Sequence, residues 1–446
     1  MPRGQVIEGP APVMRKVGVR PRLARGLRIS LFVALCTVLM FGPLALGIVQ
    51  DWSIALFEAA SALTLLLWMA WQLAVGEIRL RWNPLFAPML AFIALVLAQI
   101  AFRRSAYLYD SLSELWLYFA YGILAFVAVQ IFCSDDRFLV YFARSVALFG
   151  AVYAVFAVLQ GFTSDNKIYW LIKPRAGSVY GSYVNHNHYA GLIELLLPFA
   201  LVLAFSGSVR GAKRLLLGFA ATLMAASVFL SGSRGGMFAI VVETAFLAIV
   251  WMRQFSPKKS AVVFVSFFLV TALFLAWIAP QQVGSRITNL HDPARWLIHR
   301  DSARMFAAHP FLGSGFGTFA TVFPHYRAFY DGFFINHAHD DYLELLLDTG
   351  LVGFTIAAWF VIVLYREGLR NLRTAKTSAS ALINTAALAG CTGLLAHGFT
   401  DFNLHIPANA ALFYVLSAVA AVPVNRSTNN SNSYKAKIDY SANYLR

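Results

Sequence analysis

Twelve apolar stretches, each close to the length that crosses a lipid bilayer, constrain this chain more than any motif within it. A spanning helix needs about 17–25 predominantly apolar residues. Such runs fall near residues 29–50, 52–75, 84–102, 115–132, 139–161, 186–206, 215–231, 237–252, 261–279, 343–365, 381–398 and 408–424. Composition agrees, because 59% of the residues are hydrophobic and only 13% are charged. A water-soluble domain carries about 25% charged residues and could not hide this apolar excess in one core. The expected fold is therefore all-α, a polytopic integral membrane protein with about 12 transmembrane helices.

Charge placement orients those helices. The net charge of +15 would suit nucleic acid if it were clustered on a soluble face, but here it sits in short loops. Arg3, Arg15, Lys16, Arg20, Arg22, Arg25 and Arg28 precede the first run, which marks a cytoplasmic N-terminus and an uncleaved anchor. With twelve crossings, 24 of the 36 Lys and Arg residues fall on the same side, as the positive-inside rule requires. Three segments follow: a basic segment 1–28, a transmembrane domain 29–424, and a polar, disordered cytoplasmic tail 425–446. Cys36, Cys133 and Cys391 lie in or beside apolar runs without metal-ligand spacing, so no disulfide framework is expected.

Two loops on the opposite side are too long to be turns, Phe162–Asn185 and about 280–342. The second contains a helical stretch, Pro293–Ala308, closed by His309-Pro310 and by Gly313, Gly315 and Gly317. Its mixture of Trp296, Leu297, Met305 and Phe306 with arginines suits the headgroup layer. All ten histidines fall outside, or at the outer end of a run, on this topology. Chance and the length of the large loop are the bland account; proton-transfer chemistry on the outer face is the sharper one.

Four constellations carry chemistry. In Ser231-Gly-Ser-Arg-Gly-Gly236, glycine-rich backbone can form an anion-binding nest and Arg234 adds a planar fork for phosphate; the alternative is a hairpin whose arginine snorkels to lipid. In Asn336-His-Ala-His-Asp-Asp341, His337, His339, Asp340 and Asp341 gather at a helix N-terminus. The acids suit the helix dipole, and a neutral imidazole can act as a general base. Capping, or a metal held by His337, His339 and Asp341, are the alternatives, although the spacing matches no fixed zinc pattern. Asn185-His-Asn-His188 opens the sixth run, with Asn185 and Asn187 as supporting polar groups. Arg295, Arg300 and Arg304 lie on the loop helix, the last two sharing a face. Glu58, Arg144, Glu194 and Glu243 lie within apolar runs, where they are expected to be paired or to line a cavity.

Taken in order, these segments resemble the O-antigen ligase and polymerase superfamily of bacterial envelope glycan assembly. The resemblance rests on Ser233-Arg-Gly-Gly236, on the arginine helix ending in His309-Pro-Phe-Leu-Gly-Ser-Gly-Phe-Gly317, and on His337-Ala-His-Asp-Asp-Tyr-Leu-Glu344. It covers about residues 175–365. Gly181-Ser-Tyr-Val-Asn-His-Asn-His-Tyr-Ala190 is also similar to members acting in exopolysaccharide synthesis. Asp340 departs from the pattern, where the family usually has Asn.

The resemblance implies a GT-C-like membrane architecture and a metal-independent glycosyltransferase without cofactors, at the outer face of the bacterial inner membrane. It would move a glycan from an undecaprenyl-diphosphate donor to an acceptor hydroxyl, on a second lipid-linked glycan or on lipid A core. Membrane lipids are further partners, and nucleic acid is not expected. Arg234 and Arg295, with Arg300 third, would stabilise the leaving diphosphate; His339 would be the base, with Asp340 or Asp341 orienting its ring, and His337, further out on the loop, its understudy. Ligase and polymerase remain open, as does a transporter or flippase of lipid-linked saccharides.

Overall fold

In the computed structural model, residues 20–175, 177–205, 209–254, 257–278, 293–330, 332–374 and 379–423 are described. Most of the basic N-terminal segment, His291, the first part of the large loop and the tail from Asn425 lie outside the described residues. Fourteen α-helices are described, and no strand beyond isolated bridges at Ile168–Ile172 and Tyr180–Tyr183. They are α1 (Pro21–Leu44), α2 (Asp51–Val75), α3 (Phe86–Ala101), α4 (Leu108–Phe132), α5 (Asp136–Thr163), α6 (His186–Phe205) and α7 (Ala212–Ser231). There follow α8 (Arg234–Gln254), α9 (Pro257–Ile278), α10 (Pro293–Ala308), α11 (Phe319–Val322), α12 (Asp341–Thr374), α13 (Ala379–His397) and α14 (Pro407–Ala421).

Among the described residues, nine helices are long and apolar enough to cross a membrane, and α3, α14 and the apolar part of α9 are shorter. Together these coincide with the twelve apolar runs. Burial sorts them into rings. In the most apolar windows of α6 and α13, 94% and 83% of residues are buried, against 28% in α2, so α6 and α13 form the axis and α2 lies on the rim. Helices buried on all sides must be apolar all round, and α6 satisfies this from His188 to Ala204 with one charged exception, Glu194. The three cysteines are unpaired.

The charges inside the runs resolve individually. Glu194 meets His397 of α13 at 2.8 Å, an ion pair across the two axial helices. Glu243 is buried with neither carboxylate oxygen hydrogen-bonded among the described residues. Arg144 faces outward from α5, and Glu58 is half-buried.

From Pro293 on, the described part of the loop between α9 and α12 folds onto the bundle. Ile298 and Met305 of α10 join Phe319, Phe323, Ile335, Ala338 and Leu347 in a small core of their own. Met305, read as part of the apolar face of a headgroup-layer helix, is fully buried in protein, because α11 and the start of α12 supply a close apolar surface, while Trp296 stays exposed.

A kink in α12 at Gly350 (φ 64°) anchors this loop. Breaking the helix frees the carbonyls of Leu347 and Asp348, which accept from Ser314 N–H and Gly315 N–H at 3.0 Å each. Beyond the kink, Leu351 N–H and Val352 N–H donate to Pro310 and Phe311. The Gly-x-Gly-x-Gly run is thus a backbone patch over a broken helix. A Cβ at Gly350 would lie 2.3 Å from the Phe311 carbonyl, in a left-handed conformation that itself costs an L-residue about 1–2 kcal/mol. Gly350→Ala is therefore expected to lower the thermal unfolding temperature in detergent; an unchanged value would show that the loop tolerates detachment.

Candidate active site

One nine-residue segment, His397-Gly-Phe-Thr-Asp-Phe-Asn-Leu-His405, between the axial helix α13 and α14, gathers most of the polar groups at one end of the bundle. Its backbone turns back on α13, with Thr400 N–H and Asp401 N–H donating to the His397 carbonyl. Asp341 N–H, at the start of α12, donates to Gly398 (2.8 Å) and to Asp401 (3.2 Å). The segment is thereby fixed against the helix that carries the histidine motif.

Asp401 is the centre of this arrangement. Fully buried, it accepts from Asn187 of α6 and approaches His339 Nδ1 at 3.4 Å. Burial alone would raise its pKa, but the His339 hydrogen bond and the neighbouring His188 and His397 outweigh burial and hold the carboxylate well below its usual range. An ionised Asp401 can accept from an Nδ1–H of His339, the tautomer in which Nε2 carries the lone pair. His339 itself has φ +55°, a conformation uncommon for a non-glycine residue, while its ring sits edge-on to Phe402 at 5.0 Å. Such strain persists only where surrounding contacts impose it.

Two details of the sequence reading are corrected here. Neither Asp340 nor Asp341 orients His339. Asp340 caps α12, its Oδ1 accepting from Tyr342 N–H and Leu343 N–H at 3.0 Å, because the helix begins at Asp341 and the preceding side chain is the natural cap. Burial raises the Asp340 pKa, partly offset by these bonds. Asp341 turns to His405 Nδ1 at 2.9 Å and to Leu404 N–H. His337, expected further out on the loop, is turned inward: it stacks on Phe402 (4.1 Å) and meets Glu344 at 2.8 Å.

His337, Glu344 and His405 form the single group of metal-ligating side chains close enough to hold one ion among the described residues. His405 lies between Asp341 (2.9 Å) and Glu344 (3.4 Å). Burial would lower its pKa, but these two carboxylates raise it to about 10. A charged imidazolium thus lies between the two acids. The metal set weighed from sequence, His337, His339 and Asp341, is not the one the fold assembles, since His339 is turned to Asp401.

The arginine-bearing helices α10 and α8 meet the same segment. Arg295 Nη1 donates to the Thr400 carbonyl. Arg234 opens α8 as an exposed residue, behind an N-cap in which Ser233 Oγ accepts from Gly236 N–H at 3.1 Å. Its neighbour Gly235 touches Thr400 and His397 so closely that a Cβ would lie 2.4 Å from Thr400 Oγ1. Thr400 thus separates the two arginine-bearing elements, and the next residue holds His339. Arg300 is engaged elsewhere: it bonds buried Asp301 at 2.9 Å and lies over Trp296, and Arg304 reaches the same Asp301 at 3.8 Å. Arg300 and Arg304 do share a face, but they brace the loop through Asp301, whose pKa burial would raise and whose bonds to Arg300 and Ala328 lower it. Asn185 caps α6, its Oδ1 accepting from Asn187 N–H at 2.9 Å.

Residues 219–358, from within α7 through the loop to the first turns of α12, match the family model described as O-antigen ligase. Over that stretch the chain is similar to the O-antigen ligase family. None of the curated proteins matches the chain. The ligase-family match ends well before Asp401, so the matched stretch brings Arg234, Arg295 and His339, while their common anchor comes from the α13–α14 segment. Sequence reasoning missed Asp401, Thr400 and Phe402. The available signal was the short interval between two runs holding His397, Asp401 and His405.

Proposed function

We propose that the protein is a metal-independent glycosyltransferase that moves a glycan from an undecaprenyl-diphosphate-linked donor to an acceptor hydroxyl, at the outer face of the bacterial inner membrane with both termini cytoplasmic. One observation carries this reading: a single segment, residues 397–401, ties a carboxylate-oriented histidine to two arginine-bearing helices. Glycosyl transfer from a diphosphate needs that pairing. His339 Nε2 takes the acceptor's proton as its oxygen bonds to the anomeric carbon. The bond to the diphosphate breaks with its electron pair, and Arg234 and Arg295 stabilise the charge that develops on the leaving group. Arg300, held by Asp301, supports the loop that carries Arg295. Asn187 supports Asp401, Asn185 the start of α6, and Asp340 and Asp341 the start of α12.

The test is reconstitution of the purified full chain with a defined lipid-linked glycan and two acceptors, lipid A core and a second lipid-linked glycan. Product on the first identifies a ligase, product on the second a polymerase. Movement of the donor across the bilayer without any new glycosidic bond would replace the reading with transport. Transfer is expected to be unchanged by a chelator, because His405 sits as a cation between Asp341 and Glu344. Activity lost to chelator and restored by one divalent ion would reassign the His337, Glu344 and His405 group as a metal centre.

A further inference from the structure

At the end of the bundle away from the histidines, the start of α1, the ends of α2 and α4 and the segment that follows α2 enclose a cleft of about 380 Å³. Arg25, Arg28, Arg79 and Arg81 line it, together with Trp71 and Gln130, and among the described residues no carboxylate lines it. Basic residues at this end follow from the positive-inside rule. The rule accounts for their sign, but not for four of them facing one cleft.

The segment between α2 and α3 shows how they are presented. Ile78-Arg-Leu-Arg-Trp82 is extended, so successive side chains alternate in direction. Arg79 and Arg81 line the cleft, while Ile78, Leu80 and Trp82 project outward, 70%, 66% and 63% exposed. The segment is held rigidly. Gln72 Oε1 accepts from Arg79 N–H at 2.9 Å, and Gln130 clamps Arg81 from both sides, accepting from its N–H and donating to its carbonyl, each at 2.9 Å. Arg79 pairs with Glu77 (2.7 Å), and Arg28 lies over Phe138 and 3.7 Å from Asp135. Arg25 and Arg81 form no ion pair among the described residues.

From this arrangement we infer that the cleft binds the phosphate headgroup of an anionic phospholipid. The exposed row of Ile78, Leu80 and Trp82 decides for a lipid over a soluble anion. Three apolar side chains, one of them an interfacial tryptophan, place the segment at the depth of acyl chains and headgroups. Directly behind that row, the guanidiniums offer planar forks suited to phosphate oxygens. A doubly charged diphosphatidyl lipid fits four arginines better than a singly charged one.

The inference is tested on the purified full chain in detergent, without glycan donor, by native mass spectrometry during titration with diphosphatidylglycerol, phosphatidylcholine or inorganic phosphate. The wild type is expected to retain diphosphatidylglycerol in preference to phosphatidylcholine. The Arg25→Ala/Arg81→Ala variant is expected to bind it about thirtyfold more weakly, each basic residue near the surface contributing roughly equally. Arg210→Ala/Lys213→Ala removes the same charge outside the cleft and should change binding less than twofold, with helix content checked for both variants by circular dichroism. Equal losses in the two variants would reduce the effect to net charge and overturn the site. Inorganic phosphate bound as tightly as the lipid would overturn the assignment to a lipid.

Discussion

His339→Ala is expected to abolish detectable glycan transfer in the reconstituted system while the protein still inserts and binds the lipid-linked donor. A general base contributes about 10²–10⁴-fold in rate, and His339 is the histidine whose Nδ1 faces the ionised Asp401. Because its φ is +55°, alanine changes backbone preference as well as chemistry. His339→Asn separates the two, since asparagine tolerates the left-handed region. The asparagine variant should fold as the wild type and remain inactive. Asp401→Asn should lower turnover with donor binding retained, because it loosens the ring without removing it. His337→Ala should be milder in rate and should cost stability, since its ring is stacked on Phe402 and bonded to Glu344. If His337→Ala is inactive and His339→Asn is active at equal expression, the base assignment is reversed.

Arg295→Ala and Arg234→Lys are expected to have the next largest effects. Removing one donor aimed at charge that develops in a transition state costs about 10²–10³-fold in turnover. Arg295 is expected to show that loss because its guanidinium is set by the Thr400 carbonyl, next to the residue that holds His339. Arg234→Lys keeps the charge but replaces a planar fork by a point donor, so most activity should be lost there too. Arg300→Ala should act mainly on stability, since its partner is the buried Asp301 carboxylate. Full turnover in Arg234→Lys, measured by single-turnover release of polyprenyl diphosphate, would reduce the 231–236 turn to a hairpin anchor.

Much of this protein was legible in its sequence, for identifiable reasons. A bilayer-length apolar run is set by local composition, so all twelve helices of the bundle appear in order, including the shorter α3 and α14. The loop helix begins and ends at Pro293 and Ala308, because helix limits are written locally in Pro and Gly. The side chains proposed for the chemistry, Arg234, Arg295 and His339, were equally visible as motifs.

Their relation to one another was not visible. No local pattern distinguishes Asp340 or Asp341, one and two residues from His339, from Asp401, 62 residues away, as its partner. That choice is made when α13 packs on α6 and brings the 397–405 segment over the start of α12. The same packing turns His337 inward to Glu344 and gives Glu194 its partner 203 residues away. An apolar run specifies that a helix crosses, since the free energy of burial depends on composition. Which helices become axial depends on how side chains of many runs interlock, and that is a property of the assembled bundle. The sequence alone determined the helices and the reactive groups; the tertiary structure decided that one short segment between α13 and α14 holds them together.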